Sequence, residues 1–247
     1  MNDSSKKCLC IVSGGMDSTT LLYYMVNQHY ETYALTFDYG QKHRKEIMFA
    51  KWHCRQLNVK HKLIDIKNIG KLLNSSLTNK HIEIPDGMYN EEVMRITVVP
   101  NRNMIMLSIA MGYALSLGID NITYANHAGD HFCYYDCREE FVNKINDLAK
   151  SVDEKQLNIL TPFLKLTKAD ILKLGIGFKI DYSKTTSCYK GGDEPCNKCG
   201  TCTERTEAFI QNSIMDPIYT KHEDWLEAVK SYEELKKNQE AKHDKLT

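Results

Sequence analysis

Short apolar runs alternate with longer stretches in which apolar residues recur at helical spacing. The apolar runs have the length of buried strands and lie at 9–12, 32–37, 61–66, 122–125 and 157–160. The stretches with helical spacing lie at 19–29, 42–57, 104–117, 139–151 and 167–174. Strands and helices that alternate along a chain build a parallel sheet with helices on both faces. The pattern therefore predicts a doubly wound, mainly parallel α/β fold.

The pattern also divides the chain into three segments. Residues 1–183 carry the alternation, 184–220 are rich in cysteine and glycine, and 221–247 follow as a tail. An apolar stripe at helical spacing runs through the tail at Trp225, Val229, Tyr232 and Leu235. We expect this stripe to pack on the α/β domain or on a second subunit, which leaves a homodimer open. The irregular stretch 68–99 predicts a long loop with a small hairpin, either a substrate lid or a plain insertion.

Composition restricts the partners and the compartment. Lysine plus arginine and aspartate plus glutamate each number 32, so the formal net charge is zero. That balance argues against a nucleic-acid partner, although a local basic patch is not excluded. No stretch resembles a signal peptide or is long enough to span a bilayer, so we expect a cytoplasmic protein without a membrane partner. Four of the nine cysteines crowd between 188 and 202, which in a reducing compartment favours a metal site over disulfides.

The first strand leads into a glycine turn and a helix start, at residues 12–18. Gly14 and Gly15 allow the backbone to approach an anion closely, and the helix N-terminus offers unpaired N–H donors. Ser13 and Ser18 can add hydroxyl donors, and Asp17 can hold magnesium. The stretch predicts a phosphate or pyrophosphate site, against the alternative of an ordinary strand-to-helix turn.

Polar and aromatic side chains also follow the other predicted strands, where ligands bind in open α/β sheets. They lie at 37–44 and 126–138. Arg102 and Asn103 precede an almost wholly apolar helix, and they either contact an anion or simply begin that helix. The histidines and cysteines within 126–138 lack metal-ligand spacing and predict a pocket wall.

Four thiols at Cys188, Cys196, Cys199 and Cys202 predict a metal site. Cys-x-x-Cys turns direct two sulfurs at one ion, and four thiolates without an open position describe structural zinc. An iron–sulfur cluster could use the same donors. The metal would hold together a segment too short to bury a core of its own.

Ser-Gly-Gly-Met-Asp-Ser at 13–18 resembles the nucleotide loop of the ATP pyrophosphatase (PP-loop) superfamily. Further stretches, in the same order, resemble one family within it, the 7-cyano-7-deazaguanine synthases (QueC). They lie at 35–44, 99–103, 136–141, 161–163, 166–171 and 188–202. The resemblance implies the adenine-nucleotide α-hydrolase-like fold and an enzyme that converts 7-carboxy-7-deazaguanine, ammonia and ATP with magnesium into the nitrile.

The resemblance also implies roles for individual residues. ATP binding is expected at Val12, Ser13, Gly14, Gly15, Met16, Asp17, Ser18, Thr19, Thr20, Leu21, Leu22, Phe37 and Asn103, with the adenine near Phe37. Catalytic contacts are expected from Asp17, Ser18, Arg102, Asp136 and Arg138. One structural zinc per chain is expected on the four cysteines.

Tyr135 departs from the family pattern, which usually has proline before Asp-Cys-Arg, and this puts the shape of the pocket wall in doubt. Three other functions therefore stay open. A relative could stop at the amide, another PP-loop enzyme such as a tRNA thiolase could share the loop, and a non-enzymatic zinc module could share the cysteines. The last would leave the 13–18 loop without a purpose.

Overall fold

The structure, a computed structural model, describes residues 6–244. Residues 1–5 and 245–247, the ends of two expected segments, lie outside this range. The strands are β1 (Lys7–Ile11), β2 (Glu31–Asp38), β3 (Lys60–Asp65), β4 (Asn121–Thr123) and β5 (Asn158–Leu160). The helices are α1 (Met16–Asn27), α2 (Lys45–Gln56), α3 (Lys67–Gly70), α4 (Glu91–Met94), α5 (Arg102–Ser116), α6 (Glu139–Ser151), α7 (Lys168–Gly177), α8 (Gly200–Gln211) and α9 (His222–His243). Across 6–244, none of these helices has the length and apolar character needed to cross a membrane.

The five strands form one parallel sheet in the order β3-β2-β1-β4-β5. Leu9 of β1 lies between Tyr33 of β2 and Ile122 of β4 in the register. The chain winds outward from β1 to β3 and then crosses to β4 on the other side of β1. The predicted doubly wound fold is confirmed, and its switch point lies between β1 and β4, where ligands bind in such sheets.

The central strand β1 is buried on both faces, which explains its continuous apolar run. Leu9 packs with α5 and α6 on one face, whereas Cys8 and Cys10 pack with α1, α2 and α7 on the other. Side chains alternate along a strand, so one short run supplies both layers of the core. Burial of one such leucine contributes about 1.5–3 kcal/mol.

The predicted elements are present, but some boundaries differ. Helix α1 begins at Met16 rather than Thr19, because Gly15 takes an extended backbone and leaves the next residue free to start the helix. At α7, which lies at the predicted helical stretch 167–174, Thr167 and Asp170 form a capping box of the kind that Thr-x-x-Asp sequences favour. The expectation of a small hairpin within 68–99 is wrong. In the described chain this stretch forms α3, α4 and a short 3-10 helix, and its one β-bridge joins Asp86 to Cys199.

The C-terminal helices pack on the α/β domain. This was one of the two expectations for the apolar stripe in the tail, the other being contact with a second subunit. Trp225 and Tyr232 of α9 are buried, and the Trp225 ring meets Phe209 of α8 edge-on at 6.4 Å between centroids. The same cluster includes Met16 and Leu172 from the α/β domain. The core is therefore continuous across the expected boundaries at 183 and 220, and those boundaries stay a prediction.

We expect Gly14→Ala to destabilise the fold. Gly14 has a φ of +99°, and a Cβ there would lie 1.9 Å from the Glu46 carbonyl oxygen and 2.8 Å from the Ala50 amide nitrogen. Backbone strain and overlap together predict a loss of roughly 2–4 kcal/mol in the free energy of unfolding, measured by urea denaturation. Gly112→Ala is the control. Gly112 is exposed on α5, and no atom lies within 4 Å of the methyl group that alanine would add there. Equal stability of the two variants would contradict this account.

Candidate functional site

A cavity of about 200 Å³ opens at the switch point, beside the carboxyl ends of β1 and β4. Its walls come from the loops after β1, β2 and β4, from the first turns of α1, α5 and α7, and from the stretch that joins α7 to α8. Residues far apart in the sequence meet here because parallel strands all end at the same edge of the sheet.

The loop between β1 and α1 is held in shape by two serines. The Ser18 hydroxyl accepts hydrogen bonds from the amides of Ser13 (3.1 Å) and Gly14 (3.3 Å), and Ser13 Oγ accepts one from the Gly15 amide (3.1 Å). These loop amides are thus satisfied within the loop. Gly15, the N-cap of α1, makes no side-chain cap, so the first-turn amides of α1 remain available as donors. The loop therefore presents an anion site at the helix N-terminus.

Asp17 lies in the first turn of α1, beside two cationic or titratable groups. Its Oδ2 is 3.3 Å from Lys168 Nζ and 3.8 Å from His127 Nε2. Burial acts to raise the pKa of Asp17, but Lys168 and His127 outweigh it and hold that pKa below its usual value. Asp17 Oδ1 is buried and has no hydrogen-bond partner within residues 6–244. A charged carboxylate with an unused oxygen fits a divalent cation.

Lys168 connects Asp17 to a second buried carboxylate. Its Nζ lies 2.5 Å from Glu204 Oε2 on α8, and 3.3 Å from Asp17. Burial alone would lower the pKa of Lys168, but Asp17 and Glu204 raise it well above the usual value. The ammonium group is therefore charged at any physiological pH. It adds a fixed positive charge beside the loop.

Arg102 lines the cavity from the start of α5. Its Nη1 lies 3.4 Å from the Tyr39 hydroxyl. No carboxylate within the described chain lies within ion-pair distance of its guanidinium. An arginine without a partner carboxylate, facing a cavity, can bind a carboxylate or phosphate from a ligand in two-point fashion.

Asp136 and Arg138 lie outside the cavity lining. Asp136 Oδ2 accepts a hydrogen bond from the Asn103 amide (3.1 Å) at the first turn of α5. The Arg138 Nε donates to the His131 carbonyl (2.7 Å), and its guanidinium stacks on the Tyr135 ring at 3.7 Å. These contacts lie outside the cavity and hold the segment 131–138 against itself and against the start of α5. Tyr135 is 72% exposed and also lies outside the lining, and its effect on the shape of the pocket stays a prediction.

The predicted ATP residues fall into two groups. Those that line the cavity are Val12, Ser13, Gly15, Met16, Asp17, Ser18, Phe37 and Asn103. Those outside the lining are Gly14, Thr19, Thr20, Leu21 and Leu22. The leucines pack in the core beneath the loop, and the Thr20 hydroxyl bonds to Tyr182 at 2.7 Å.

Four lining residues, His43, His127, Asp130 and Tyr134, come from the polar and aromatic stretches predicted at 37–44 and 126–138. Five others were not assigned from the sequence: Glu46, Tyr89, Tyr124, Lys168 and Tyr189. The tyrosines give the cavity an aromatic wall, which suits a flat heterocycle. Lys168 and Glu46 lie within stretches that the pattern predicts only as helices. A buried polar residue on a helix leaves no signal in the periodicity.

The four predicted cysteines come together beside the cavity. The Sγ atoms of Cys188, Cys196, Cys199 and Cys202 all lie within 4.8 Å of one another, with Cys196 and Cys202 at 3.9 Å. The Cys196 and Cys199 amides point at sulfurs, at 3.4 and 3.3 Å. Hydrogen bonds from the other three thiols hold the pKa of Cys196 well below its usual range. Such a set of four soft donors can bind a metal ion such as zinc.

Ser231 of α9 and Tyr219, which precedes α9, support the turn between two of these cysteines. Asn197 takes a left-handed conformation, with a φ of +60°. The Tyr219 hydroxyl donates to Asn197 Oδ1 (2.6 Å), and the Ser231 hydroxyl donates to its carbonyl (3.0 Å). The metal site is therefore tied to the C-terminal helix.

A doubly wound parallel sheet, with a Ser-Gly-Gly loop leading into α1 at the switch point and a cysteine cluster beside the cavity, defines a PP-loop protein. The family model for the queuosine biosynthesis protein QueC matches residues 7–213. The chain therefore belongs to the QueC family, as the sequence motifs predicted.

Two similar proteins share the name 7-cyano-7-deazaguanine synthase. A 7-cyano-7-deazaguanine synthase of Psychromonas ingrahamii is 51% identical over 215 residues, which cover 87% of this chain and 97% of that protein. One of Archaeoglobus fulgidus is 46% identical over 239 residues, which cover 96% of this chain and all of that one (100%). These relatives are named as synthases, which indicates an enzyme.

Among solved structures, NMN synthetase from Francisella tularensis aligns at a TM-score of 0.49 and 14% identity, covering 94% of this chain and 85% of that one. The U34-tRNA thiolase NcsA from Methanococcus maripaludis, with its [4Fe-4S] cluster, aligns at 0.46 and 17% identity, covering 94% and 72%.

The cysteine geometry predicts about one zinc per chain, with Zn–S distances near roughly 2.3 Å by X-ray absorption. Cys199→Ser should lose the metal and lower the melting temperature, because metal binding supports the local fold. Cys133→Ser is the control, since it removes a buried thiol outside the four. Wild-type protein that contains no metal and yet melts like Cys199→Ser would contradict the assignment.

Proposed function

We propose that the chain converts 7-carboxy-7-deazaguanine, ammonia and ATP into 7-cyano-7-deazaguanine. The observation that carries this proposal is the near-full-length similarity to synthases of that name. The cavity supports it, because it combines an anion-binding loop, an aromatic wall and an arginine without a carboxylate partner. The product would serve queuosine biosynthesis.

The chemistry follows from what a carboxylate lacks. Its leaving group would be oxide, so it resists attack by ammonia. Transfer of AMP to one oxygen creates a good leaving group, and ammonia then displaces AMP to give the amide. The amide oxygen is adenylated in turn by a second ATP, and loss of AMP leaves the nitrile. The protein must position the reactants and stabilise the charge that develops on pyrophosphate.

The pyrophosphate is assigned to the first turn of α1. The free amides there and the Lys168 ammonium supply positive charge, and the hydroxyls of Ser13 and Ser18 keep the loop in shape. Asp17 would hold magnesium, for which its unpartnered Oδ1 is suited. When bound, the metal ion would neutralise charge on the departing phosphates.

The substrates are assigned to the rest of the cavity. Phe37, at the end of β2, lies where we expect the adenine. The deazapurine ring would lie against the tyrosine wall, and Arg102 would bind its carboxylate. Asn103 would assist, whereas Asp136 and Arg138 would act from outside the cavity. Asp136 holds the helix start that carries Arg102.

Asp17→Asn should lower AMP formation by at least about a hundredfold, the size of a main electrostatic contribution. The substitution keeps the shape but removes the charge for magnesium and for Lys168, while the cysteine site is untouched. AMP is measured with the 7-carboxy compound, ammonium and Mg-ATP. Asp147→Asn, on the exposed face of α6, is the control. Near-normal turnover by Asp17→Asn would show that the loop has been misassigned.

The wild-type protein should consume about two ATP for each nitrile formed, with the amide only transient, because each oxygen leaves as part of AMP. Mass spectrometry of the products with ATP in excess measures this. Amide that persists would identify an amide-forming relative instead. Tyr135→Pro should leave the product unchanged, since Tyr135 lies outside the cavity.

A further inference from the structure

The buried acid Glu46 lies in the cavity wall without a role in the chemistry described so far. It lies in the first turn of α2, and its neighbour in the wall is His43, whose Nε2 lies 3.6 Å from Glu46 Oε2. Within residues 6–244, no hydrogen bond reaches the Glu46 carboxyl oxygens. Burial of a carboxyl group without a firm partner is costly, so such a group marks a functional site rather than a stabilising one.

Glu46 is close to the loop assigned to the departing pyrophosphate. A Cβ placed on Gly15 would lie 3.2 Å from Glu46 Oε1. Arg102, assigned to the substrate carboxylate, lines the same cavity. The carboxyl group therefore faces the loop after β1 and shares the cavity with the proposed carboxylate-binding Arg102.

The reaction requires a base at this place. Ammonia is present almost wholly as ammonium at neutral pH, and ammonium has no lone pair with which to attack. We propose that Glu46 binds ammonium in the cavity and takes the proton that must leave before nitrogen attacks the adenylated carboxyl group. This inference rests on the proposed function.

The step balances as follows. Ammonium passes one proton to the Glu46 carboxylate, which gives ammonia and a neutral carboxylic acid. The nitrogen lone pair forms the bond to the carboxyl carbon, and the bond from that carbon to the AMP oxygen breaks with its electron pair. The second nitrogen proton leaves with the phosphate of AMP, so the product is a neutral amide. Glu46 returns its proton to water before the next cycle.

The environment of Glu46 suits this transfer. Burial raises its pKa to about 8, and the nearby charge of Asp17 acts in the same direction, while Arg102 and Lys168 act against it. An ordinary carboxylate is too weak a base to accept a proton from ammonium. The raised pKa brings the two groups closer together, and the carboxylate form that accepts the proton increases as the pH rises through about 8.

His43 completes the ammonium site as an uncharged acceptor. Burial, together with Arg102, lowers its pKa to about 3, so the imidazole stays neutral. Its Nδ1 is buried and has no hydrogen-bond partner within the described residues. Ring contact with Tyr189, at 5.3 Å between centroids, holds the imidazole in place. Ammonium needs hydrogen-bond acceptors on several sides, and a neutral imidazole offers one without adding a repelling charge.

Hydroxylamine separates proton removal from the other steps. It is largely uncharged at neutral pH, so it can attack the adenylated carboxyl group without a base and give a hydroxamate. In Glu46→Gln, the rate of amide plus nitrile formation from ammonium should fall by at least about a hundredfold. The rate of hydroxamate formation should stay within about threefold of the wild type. Glu46→Asp keeps the carboxylate but moves it back by one methylene group. Its rate of amide plus nitrile formation from ammonium should lie between those of the wild type and Glu46→Gln.

Glu140→Gln is the matched control, because Glu140 is exposed on α6 and pairs only with Lys144 among the described residues. Equal loss of both products in Glu46→Gln would overturn the proposal, since Glu46 would then serve adenylation or folding. Unchanged rates with ammonium would overturn it too. Failure of the proposed function looks different: the wild type itself would give neither hydroxamate nor nitrile from the 7-carboxy compound.

Discussion

The close approach of α2 to the loop after β1 is the constraint on which the site depends. The Glu46 carbonyl occupies the space where a side chain on Gly14 would lie, so the loop can pass only as bare backbone. That contact directs the loop toward the switch point and leaves the first turn of α1 open to an anion. The same helix start carries Glu46 and follows His43 into the cavity. The start of α2 therefore both packs against the loop and supplies side chains to the cavity.

Charged groups of both signs lie together in the cavity. Asp17, Asp130 and Glu204 contribute negative groups around Lys168, and His127 lies within 3.8 Å of both aspartates. A polyphosphate that entered this site would meet both attraction and repulsion. Under the proposed function, a magnesium ion would offset that repulsion, because unpaired like charges at short range are costly in a poorly solvated site. The affinities for nucleotide and for magnesium would then be coupled.

Much of the fold was readable from the sequence because it depends on local signals. The alternation of apolar runs, the Gly-Gly turn and the capping box at Thr167 each report on their own neighbourhood, and each was found. The cysteine cluster was also readable, since its spacing brings the sulfurs together. The contacts of Lys168 with Asp17 and Glu204 could not be read in this way, because they arise only when α7 and α8 pack against α1. The position of Asp136 could not be read either: its carboxylate supports the start of α5 from outside the cavity lining.

The tie between Asn197 and α9 has a kinetic consequence for the metal site. The turn that carries Cys196 and Cys199 is held by Tyr219 and Ser231, whose hydroxyls bond to Asn197. To release an ion, the turn must open, and opening breaks these bonds as well as those to the sulfurs. Exchange of an ion held by the four cysteines would therefore be gated by the undocking of a helix whose buried aromatic face lies on the domain. The rate of exchange would then report on local unfolding of the C-terminal region rather than on the strength of thiolate ligation alone.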